Sequence, residues 1–334
     1  MNTPWEPDDG ATSPFVSTGH LPDTDRVRAL VTEAHARYRD EAGGEVSDVY
    51  PALAQVPPDG FGVCVVGTSG DAVAVGDADV EFSIMSVAKP FVFGLVCAAV
   101  GSDQVRQRVG VNATGLPFNS LTAIEQASGG RTNPMVNPGA IATTSLVPGE
   151  SPDVRWEVIR EGLSRFAGRD LSLDDEVYAS ASASNERNQA IVRLLRSYGR
   201  ISIDPADALD LYTRQSSLRV SARDLAVMGA TLADGGVNPL TGARVIDAGS
   251  CRCALAVMAT AGLYETSGDW LYDVGLPGKS GIGGGIVTVS PGKGGLGTFA
   301  PRLDEAGNSV KGQLVARFLA RRLGLDLFAS EPAR

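Results

Sequence analysis

The sequence predicts a mixed α/β (α+β) fold in which one mostly antiparallel sheet is flanked by helices and carries an all-α insertion. Three observations lead to this prediction. Runs of β-branched residues lie near both ends of the 334-residue chain, amphipathic helix patterns lie outside those runs, and the middle of the chain holds mainly helix patterns and loops. A sheet assembled from both ends, with the middle of the chain as a helical insertion, satisfies all three.

The first elements of the chain predict a tail, a helix and a hairpin. Residues 1–22 are acidic and contain Pro, Ser and Thr, so we expect a disordered tail. Residues 24–41 place apolar side chains at helical spacing behind an Asp/Thr start, which predicts a helix. Residues 60–77 hold two β-branched runs around a Thr-Ser-Gly-Asp turn, which predicts a β-hairpin.

The motif FSIMSVAK holds a serine and a lysine, Ser86 and Lys89, at the start of an apolar helix. Pro90 fixes that start, because a helix tolerates proline only in its first turn, where the N–H has no acceptor. A helix that begins near Val87 puts Ser86 at its N-terminus and brings Lys89 beside it one turn later. The motif alone fits both an activated nucleophile and two polar residues at an ordinary helix start.

The later patterns are helices followed by two strands and a last helix. The β-branched runs 285–290 and 295–300 flank a Pro-Gly turn, as in a hairpin. Helix patterns occupy residues 87–100, 155–168, 186–199, 204–217, 221–236, 254–265 and 309–324. We expect three units, namely a disordered tail (1–22), a sheet domain (23–95 and 254–330) and a helical domain (96–253).

Composition excludes several classes of function. The net charge of −10 and the lack of a basic stripe exclude nucleic acid as a partner, because phosphate contacts need clustered Lys and Arg. No apolar run approaches the roughly 20 residues that span a bilayer, so no membrane partner is expected. The acidic N-terminus lacks the basic and apolar segments of a secretory signal. This favours a cytoplasmic protein, with its four cysteines buried and reduced.

Two absences limit the chemistry. The only histidines are His20, in the tail, and His35, in the first predicted helix, so neither a Ser-His-Asp triad nor a His-rich zinc site is expected. The Cys-Arg-Cys run at 251–253 lacks the spacing of a zinc site. An enzyme with this sequence is expected to work without histidine and without metal.

A second lysine favours a catalytic role for the Ser-x-x-Lys motif. Serine needs a base, and a lysine serves as one only when burial or a neighbouring cation lowers its pKa. Lys279, in a Gly-Lys-Ser-Gly strand start, resembles the lysine of the Lys-Thr-Gly motif of serine penicillin-recognising enzymes. A P-loop is excluded, because Asp273 stands where that motif needs glycine.

Longer motifs carry a family resemblance. The runs RTNPMVNPGAIATTSL, ERNQAIVRLL and GLYETSGDWLYDVGLPGKSGIGGGIVTVSP resemble the serine-dependent glutaminase family, and the resemblance extends from about Gly44 to about Val315. It implies a serine β-lactamase-like fold, a cytoplasmic homodimer or homotetramer, and no cofactor. The implied reaction is the hydrolysis of L-glutamine to L-glutamate and ammonia.

The resemblance also implies catalytic roles for single residues. Ser86 corresponds to the nucleophile, Lys89 to its general base, and Tyr264 to a residue that assists proton transfer. Lys279 is a further expected catalytic residue. Ile282 stands where the family has a valine whose backbone N–H, with that of Ser86, forms the oxyanion hole.

The same resemblance assigns the substrate-binding residues and reveals three departures. Asn137, Asn188 and Tyr212 correspond to residues that hold the glutamine head group. The departures are Ala181, where the family has a glutamate that pairs with the substrate ammonium, Val49, where it has a tyrosine (Tyr50 is next to it), and Met85, where a glutamine is common. The nearest acid, Glu186, is expected to face elsewhere.

Three functions therefore stay open from the sequence. The first is glutamine hydrolysis with altered head-group recognition, and the second is hydrolysis of another amide that lacks a free α-ammonium. The third is a non-catalytic protein that keeps the fold, although the retained Ser and Lys residues argue against it. A β-lactamase is disfavoured by the lack of an export signal.

Overall fold

The computed structural model of the protein describes residues 19–330. The predicted tail, residues 1–22, therefore lies mostly outside the described residues, which include only its last four, 19–22. The helices are α1 (Thr24–Tyr38), α2 (Ala88–Val100), α3 (Ser102–Val109), α4 (Thr122–Gln126), α5 (Asn137–Thr144), α6 (Pro152–Ala167), α7 (Asp175–Ala183), α8 (Glu186–Ser197), α9 (Pro205–Ser216), α10 (Ala222–Ala233), α11 (Ala248–Ala261), α12 (Ser267–Val274) and α13 (Val310–Leu323). The strands are β1 (Glu45–Val46), β2 (Gly62–Gly67), β3 (Ala72–Gly76), β4 (Phe82–Ser83), β5 (Arg219–Val220), β6 (Gly278–Ser280), β7 (Gly285–Ser290), β8 (Gly294–Phe299) and β9 (Arg302–Leu303).

The main sheet is assembled from both ends of the chain, as the sequence predicts. Its strand order is β3-β2-β8-β7-β6, and each neighbouring pair is antiparallel. The central pairing joins the two ends, with Cys64 of β2 opposite Gly297 of β8. Two small sheets pair β1 with β9 and β4 with β5. The predicted fold class, a mostly antiparallel sheet flanked by helices, is confirmed.

Both faces of the sheet are covered by helices. Val63 and Val65 of β2 belong to the buried cluster under α1 and α13. Cys64 and Val66, which point the other way, pack in a second cluster with Ala226 of α10. Burial on both faces explains why β2 is a continuous apolar run rather than an alternating one.

One helix departs from the expected organisation. Helix α10 lies within the range predicted for the helical domain, yet it packs on β2, β7 and β8. Glycine makes this close packing possible, because a Cβ at Gly297 would lie 2.0 Å from the carbonyl oxygen of Ala222. The small side chains of α10 and the glycines of β8 allow this helix to pack on the sheet. Neither leaves a periodic pattern in the sequence, so this packing was not predicted. The division into two domains stays a prediction.

The remaining helices form the body that supports α2. Helices α3, α5, α6 and α11 pack around α2, and the largest buried cluster includes Phe91 of α2 and Phe166 of α6, with ring centroids 5.1 Å apart. The helices predicted in residues 96–253 are present. The short helices α3, α4, α5, α7 and α12 were not predicted. Within residues 19–330, no helix is both long and apolar enough to cross a membrane.

We expect the substitution Gly297→Ala to destabilise the protein, since the added methyl group would collide with the backbone of α10 and force it from the sheet. Overpacking of this kind costs typically about 1–3 kcal/mol. Urea denaturation followed by circular dichroism measures the free energy of unfolding. Gly268→Ala is the matched control, because a Cβ at this exposed position of α12 meets nothing within 4 Å. An unfolding free energy of Gly297→Ala equal to that of the control would contradict the packing described here.

Candidate active site

Ser86 lies where a short 3-10 turn, Met85–Val87, leads into α2. Its side chain is half-buried, and Pro90 falls in the first turn of the helix, as the sequence predicts. Met85, just before it, has φ +46°. Left-handed backbone is unfavourable for a residue with a long side chain, and such strain is concentrated at functional sites.

Lys89 is buried beneath Ser86, with only 2% of its surface exposed. Its Nζ donates a hydrogen bond to Asn137 Oδ1 at 2.7 Å, and the Tyr212 hydroxyl donates to the same oxygen at 3.0 Å. The loss of hydration lowers the pKa of Lys89 from its ordinary 10.5 to about 7. The amine can therefore be neutral at neutral pH.

A chain of amides extends from Lys89 across three helices. Asn137, at the start of α5, donates to Asn188 Oδ1 at 3.0 Å, and Asn188 of α8 donates to Asn185 Oδ1 at 2.8 Å. Asn185 in turn donates to the hydroxyl of Thr213 on α9 at 3.1 Å. Each amide in the chain accepts at its oxygen and donates from its nitrogen, so the network fixes the side-chain orientations around the amine.

Lys279 of β6 brings a second buried amine to the same region. It has no exposed surface, and its Nζ donates to the carbonyl oxygen of Ser280 at 2.6 Å. Burial, and secondarily the charge of Lys89, hold the pKa of Lys279 well below its ordinary value. The two lysines are thus close enough to interact electrostatically.

Tyr264 lies against the amine of Lys279. Its ring centroid is 4.2 Å from Lys279 Nζ, and its hydroxyl donates to the carbonyl oxygen of Ser280 at 3.4 Å. Burial raises the pKa of Tyr264 to about 12, against the opposing effect of the Ser86 and Ser280 groups near its hydroxyl. Within residues 19–330, Tyr264 (φ +56°) and Met85 are the two residues other than glycine with a left-handed φ.

The turn between β6 and β7 lies directly against the backbone of Ser86. A Cβ at Gly281 would lie 3.0 Å from the Ile84 carbonyl oxygen and 3.1 Å from the Ser86 nitrogen, so a larger residue would press against this backbone. Ile282, the next residue, lines the same cavity as Ser86. Two main-chain segments, one at the start of α2 and one from the sheet, therefore meet at the serine.

The cavity above Ser86 measures about 80 Å³. Predicted site residues that line it are Tyr50, Ser86, Asn137, Asn188, Tyr212 and Ile282, together with the three departures Val49, Met85 and Ala181. The lining does not include Lys89, Lys279 or Tyr264. Lys89 contacts the lining residue Asn137, and Lys279 contacts Tyr264. Glu186 is exposed and outside the lining.

Several lining residues were not predicted from the sequence. The Phe118 ring centroid lies 4.8 Å from that of Tyr264, and the Phe118 carbonyl accepts from the Asn137 nitrogen at 2.8 Å. Arg187 donates from Nε to the carbonyl oxygen of Asn119 at 2.8 Å. The sequence could have indicated such residues only by their position next to a motif residue, as Arg187 directly precedes Asn188.

A larger cleft lies elsewhere on the surface. It measures about 710 Å³ and is lined by residues of α3, the segment 110–116 and the segment 123–132. Its lining does not include Ser86, whereas the lining of the smaller cavity does. Among residues 19–330, no cluster of three or more His, Cys, Asp and Glu side chains is placed to hold a metal ion.

A sheet of this topology, with a Ser-x-x-Lys helix start facing a lysine on a strand, defines the β-lactamase-like class of serine-dependent enzymes. A family model described as Glutaminase matches residues 44–328. This chain belongs to the glutaminase family. The family predicted from the sequence motifs is confirmed.

Individual relatives agree with this assignment. The chain is 68% identical to Glutaminase 2 of Yersinia pestis over 318 aligned residues. The aligned region covers 95% of this chain and 94% of that protein. It is 48% identical over 307 residues to a glutaminase of Brucella canis, covering 92% and 97% of the two chains. A solved structure described as probable glutaminase ybaS superposes with a TM-score of 0.91 at 43% identity, covering 92% of this chain and 100% of that one.

Proposed function

We propose that the protein hydrolyses L-glutamine to L-glutamate and ammonia through an acyl-enzyme on Ser86. One observation carries the proposal, namely a half-buried serine one helical turn from a fully buried lysine whose pKa is lowered to about 7. Membership of the glutaminase family supports the choice of amide and of reaction.

In the proposed first step, neutral Lys89 accepts the proton of the Ser86 hydroxyl. An amine that donates one N–H to Asn137 keeps its lone pair for this proton. Ser86 Oγ then attacks the amide carbon, and the backbone N–H groups of Ser86 and Ile282 stabilise the oxyanion. The proton that Lys89 accepted passes through the Tyr264 hydroxyl to the leaving nitrogen, so ammonia departs as the ester forms and Lys89 is neutral again.

In the second step, water hydrolyses the ester. Lys89 takes a proton from the attacking water, the ester bond breaks, and the proton returns to Ser86 Oγ as the acid is released. Asn137, Asn188, Tyr212 and Tyr50 are assigned to hold the rest of the substrate. Lys279 is assigned a role in positioning Tyr264, on which its amine rests.

The assembly and location of the protein are also proposals. By resemblance to its family we infer a homodimer or homotetramer in the cytoplasm, without a cofactor. A non-catalytic role fits the structure poorly, because burying two lysine amines without a carboxylate partner costs stability that a mere scaffold would not need.

We expect Ser86→Ala to abolish ammonia release, and Lys89→Met, which keeps the volume of the side chain, to be nearly as damaging. The double variant should be no slower than Ser86→Ala, since residues that act as one unit give non-additive losses. Ammonia release in a coupled assay measures the rates, and thermal unfolding checks that each variant folds. Turnover of Ser86→Ala within about tenfold of the wild type would rule out this nucleophile.

The pKa of Lys89 predicts the pH dependence. Because the pKa is lowered to about 7, the neutral base predominates above that pH and is lost below it. We expect kcat/KM to fall about tenfold per pH unit below about 7 and to level off above it. A profile over about pH 5.5 to 9 tests this. A rate that still rises tenfold per unit at about pH 9 would show that Lys89 keeps its ordinary pKa or is not the base.

The substitution Ala181→Glu tests the recognition of the amino-acid head. Ala181 lines the cavity, so the added carboxylate would give a substrate ammonium a counter-ion. We expect kcat/KM for L-glutamine to improve by about 2–4 kcal/mol relative to an analogue without the α-ammonium. The control is Ala179→Glu, an exposed position of the same helix outside the lining.

Strong preference for L-glutamine in the wild type, unchanged by Ala181→Glu, would contradict this prediction. It would mean that another acid neutralises the ammonium, and Glu186→Gln would then be the variant that loses glutamine turnover.

A further inference from the structure

The charges around the cavity above Ser86 are unusual for a site that binds an amino acid. All its lining residues fall within the described part of the chain, and none of them is Asp or Glu. Arg187 is the one lining residue with a charged side chain. The local field therefore favours a negative group, and the lining gives an ammonium no counter-ion.

Arg187 is held so that most of its donors stay available. It lies in the first turn of α8, and its Nε donates to the carbonyl oxygen of Asn119. In residues 19–330, Arg187 makes no salt bridge, and this bond is its one side-chain hydrogen bond. Four of the five N–H donors of its guanidinium remain for a carboxylate, which an arginine fork matches in shape.

The wall on which an α-substituent would rest is uncharged. Val49 and Ala181 both line the cavity, and Val49 is half exposed at its mouth. The acids nearest in sequence, Asp48 and Glu186, are exposed and lie outside the lining. An ammonium in the cavity would lose hydration without gaining an ion pair, which is unfavourable.

We infer that the preferred substrates are monoamides of short dicarboxylic acids without an α-ammonium, and that Arg187 selects them by binding their carboxylate. This inference rests on the amide hydrolysis at Ser86 of the proposed function and replaces L-glutamine as its preferred substrate. The amide end meets Ser86, the carboxylate meets Arg187, and the cavity of about 80 Å³ limits the linking chain to a few carbons. The simplest such compound is 5-amino-5-oxopentanoate, the glutamine skeleton without its amino group.

The kinetic test compares three amides, namely 5-amino-5-oxopentanoate, L-glutamine and pentanamide, on the wild-type protein and on Arg187→Gln. We expect the wild type to prefer 5-amino-5-oxopentanoate to L-glutamine by about tenfold or more in kcat/KM. Arg187→Gln should lose at least about tenfold more on the dicarboxylate monoamide than on neutral pentanamide, mainly through KM, because the lost interaction is with the carboxylate. Arg187→Lys should recover part of the loss, since it restores the charge without the fork.

The matched control is Arg193→Gln. Arg193 is exposed on the same helix and lies outside the cavity lining, so its loss changes the net charge equally without touching the site. The quantity to compare is the ratio of kcat/KM for 5-amino-5-oxopentanoate to kcat/KM for pentanamide. If this ratio falls as much in Arg193→Gln as in Arg187→Gln, the inference is overturned.

A binding measurement separates the inference from the proposed function. Calorimetric titration of Ser86→Ala with glutarate and with L-glutamate should give tighter binding of glutarate, lost in the Ser86→Ala/Arg187→Gln variant. Ammonia release from L-glutamine that exceeds release from 5-amino-5-oxopentanoate tenfold would overturn the inference and leave the proposed function standing. Arg187-dependent binding of glutarate without ammonia release from any of the amides would contradict the proposed function and uphold the charge selection.

Discussion

The burial of the Lys89 amine is the constraint on which the rest of the site depends. A lysine in water holds its proton far too tightly to act as a base near neutral pH, and here the lack of hydration brings its pKa to about 7. Burial without a counter-ion is costly, so the amine needs neutral polar partners. The Asn137–Asn188–Asn185 chain supplies them, and it binds α5 and α8 to the start of α2.

The sheet completes the same site from the opposite side. Strand β6 carries Lys279 beneath Tyr264, and the turn that follows it brings Gly281 against the backbone of Ser86. The backbone around Ser86 and Lys279 is constrained, because Met85 and Tyr264 have a left-handed φ and Gly281 lies in tight contact with the backbone of Ile84 and Ser86. Rigidity of this kind is what a pre-organised catalytic group requires.

The strands and longer helices could be predicted from the sequence because burial leaves a pattern in it. In the hairpin of β2 and β3 the pattern is two β-branched runs around a turn, and in helices α1 and α13 it is the helical spacing of apolar residues. Motif resemblance identified the family, and the roles given to Ser86, Lys89 and Tyr264 stay predictions. The packing of helix α10 on the sheet could not be predicted, since it depends on glycines of β8 that show no period. The left-handed φ of Met85 and the lining position of Arg187 arise from tertiary contacts, which single-sequence patterns do not carry.

The antiparallel pairing of β2 with β8 has a consequence for synthesis of the protein. A nascent chain that has left the ribosome as far as α11 already contains Ser86, Lys89 and the whole amide chain. It still lacks β6, β7 and β8, so the hairpin of β2 and β3 has an unpaired edge and α10 lacks two of the three strands on which it packs. Closing a loop of this length is slow and leaves apolar surface open in the meantime. Ser86 therefore stays without the turn between β6 and β7 beside it until translation is nearly finished, and a prematurely terminated product would keep its apolar surface exposed and be prone to aggregation.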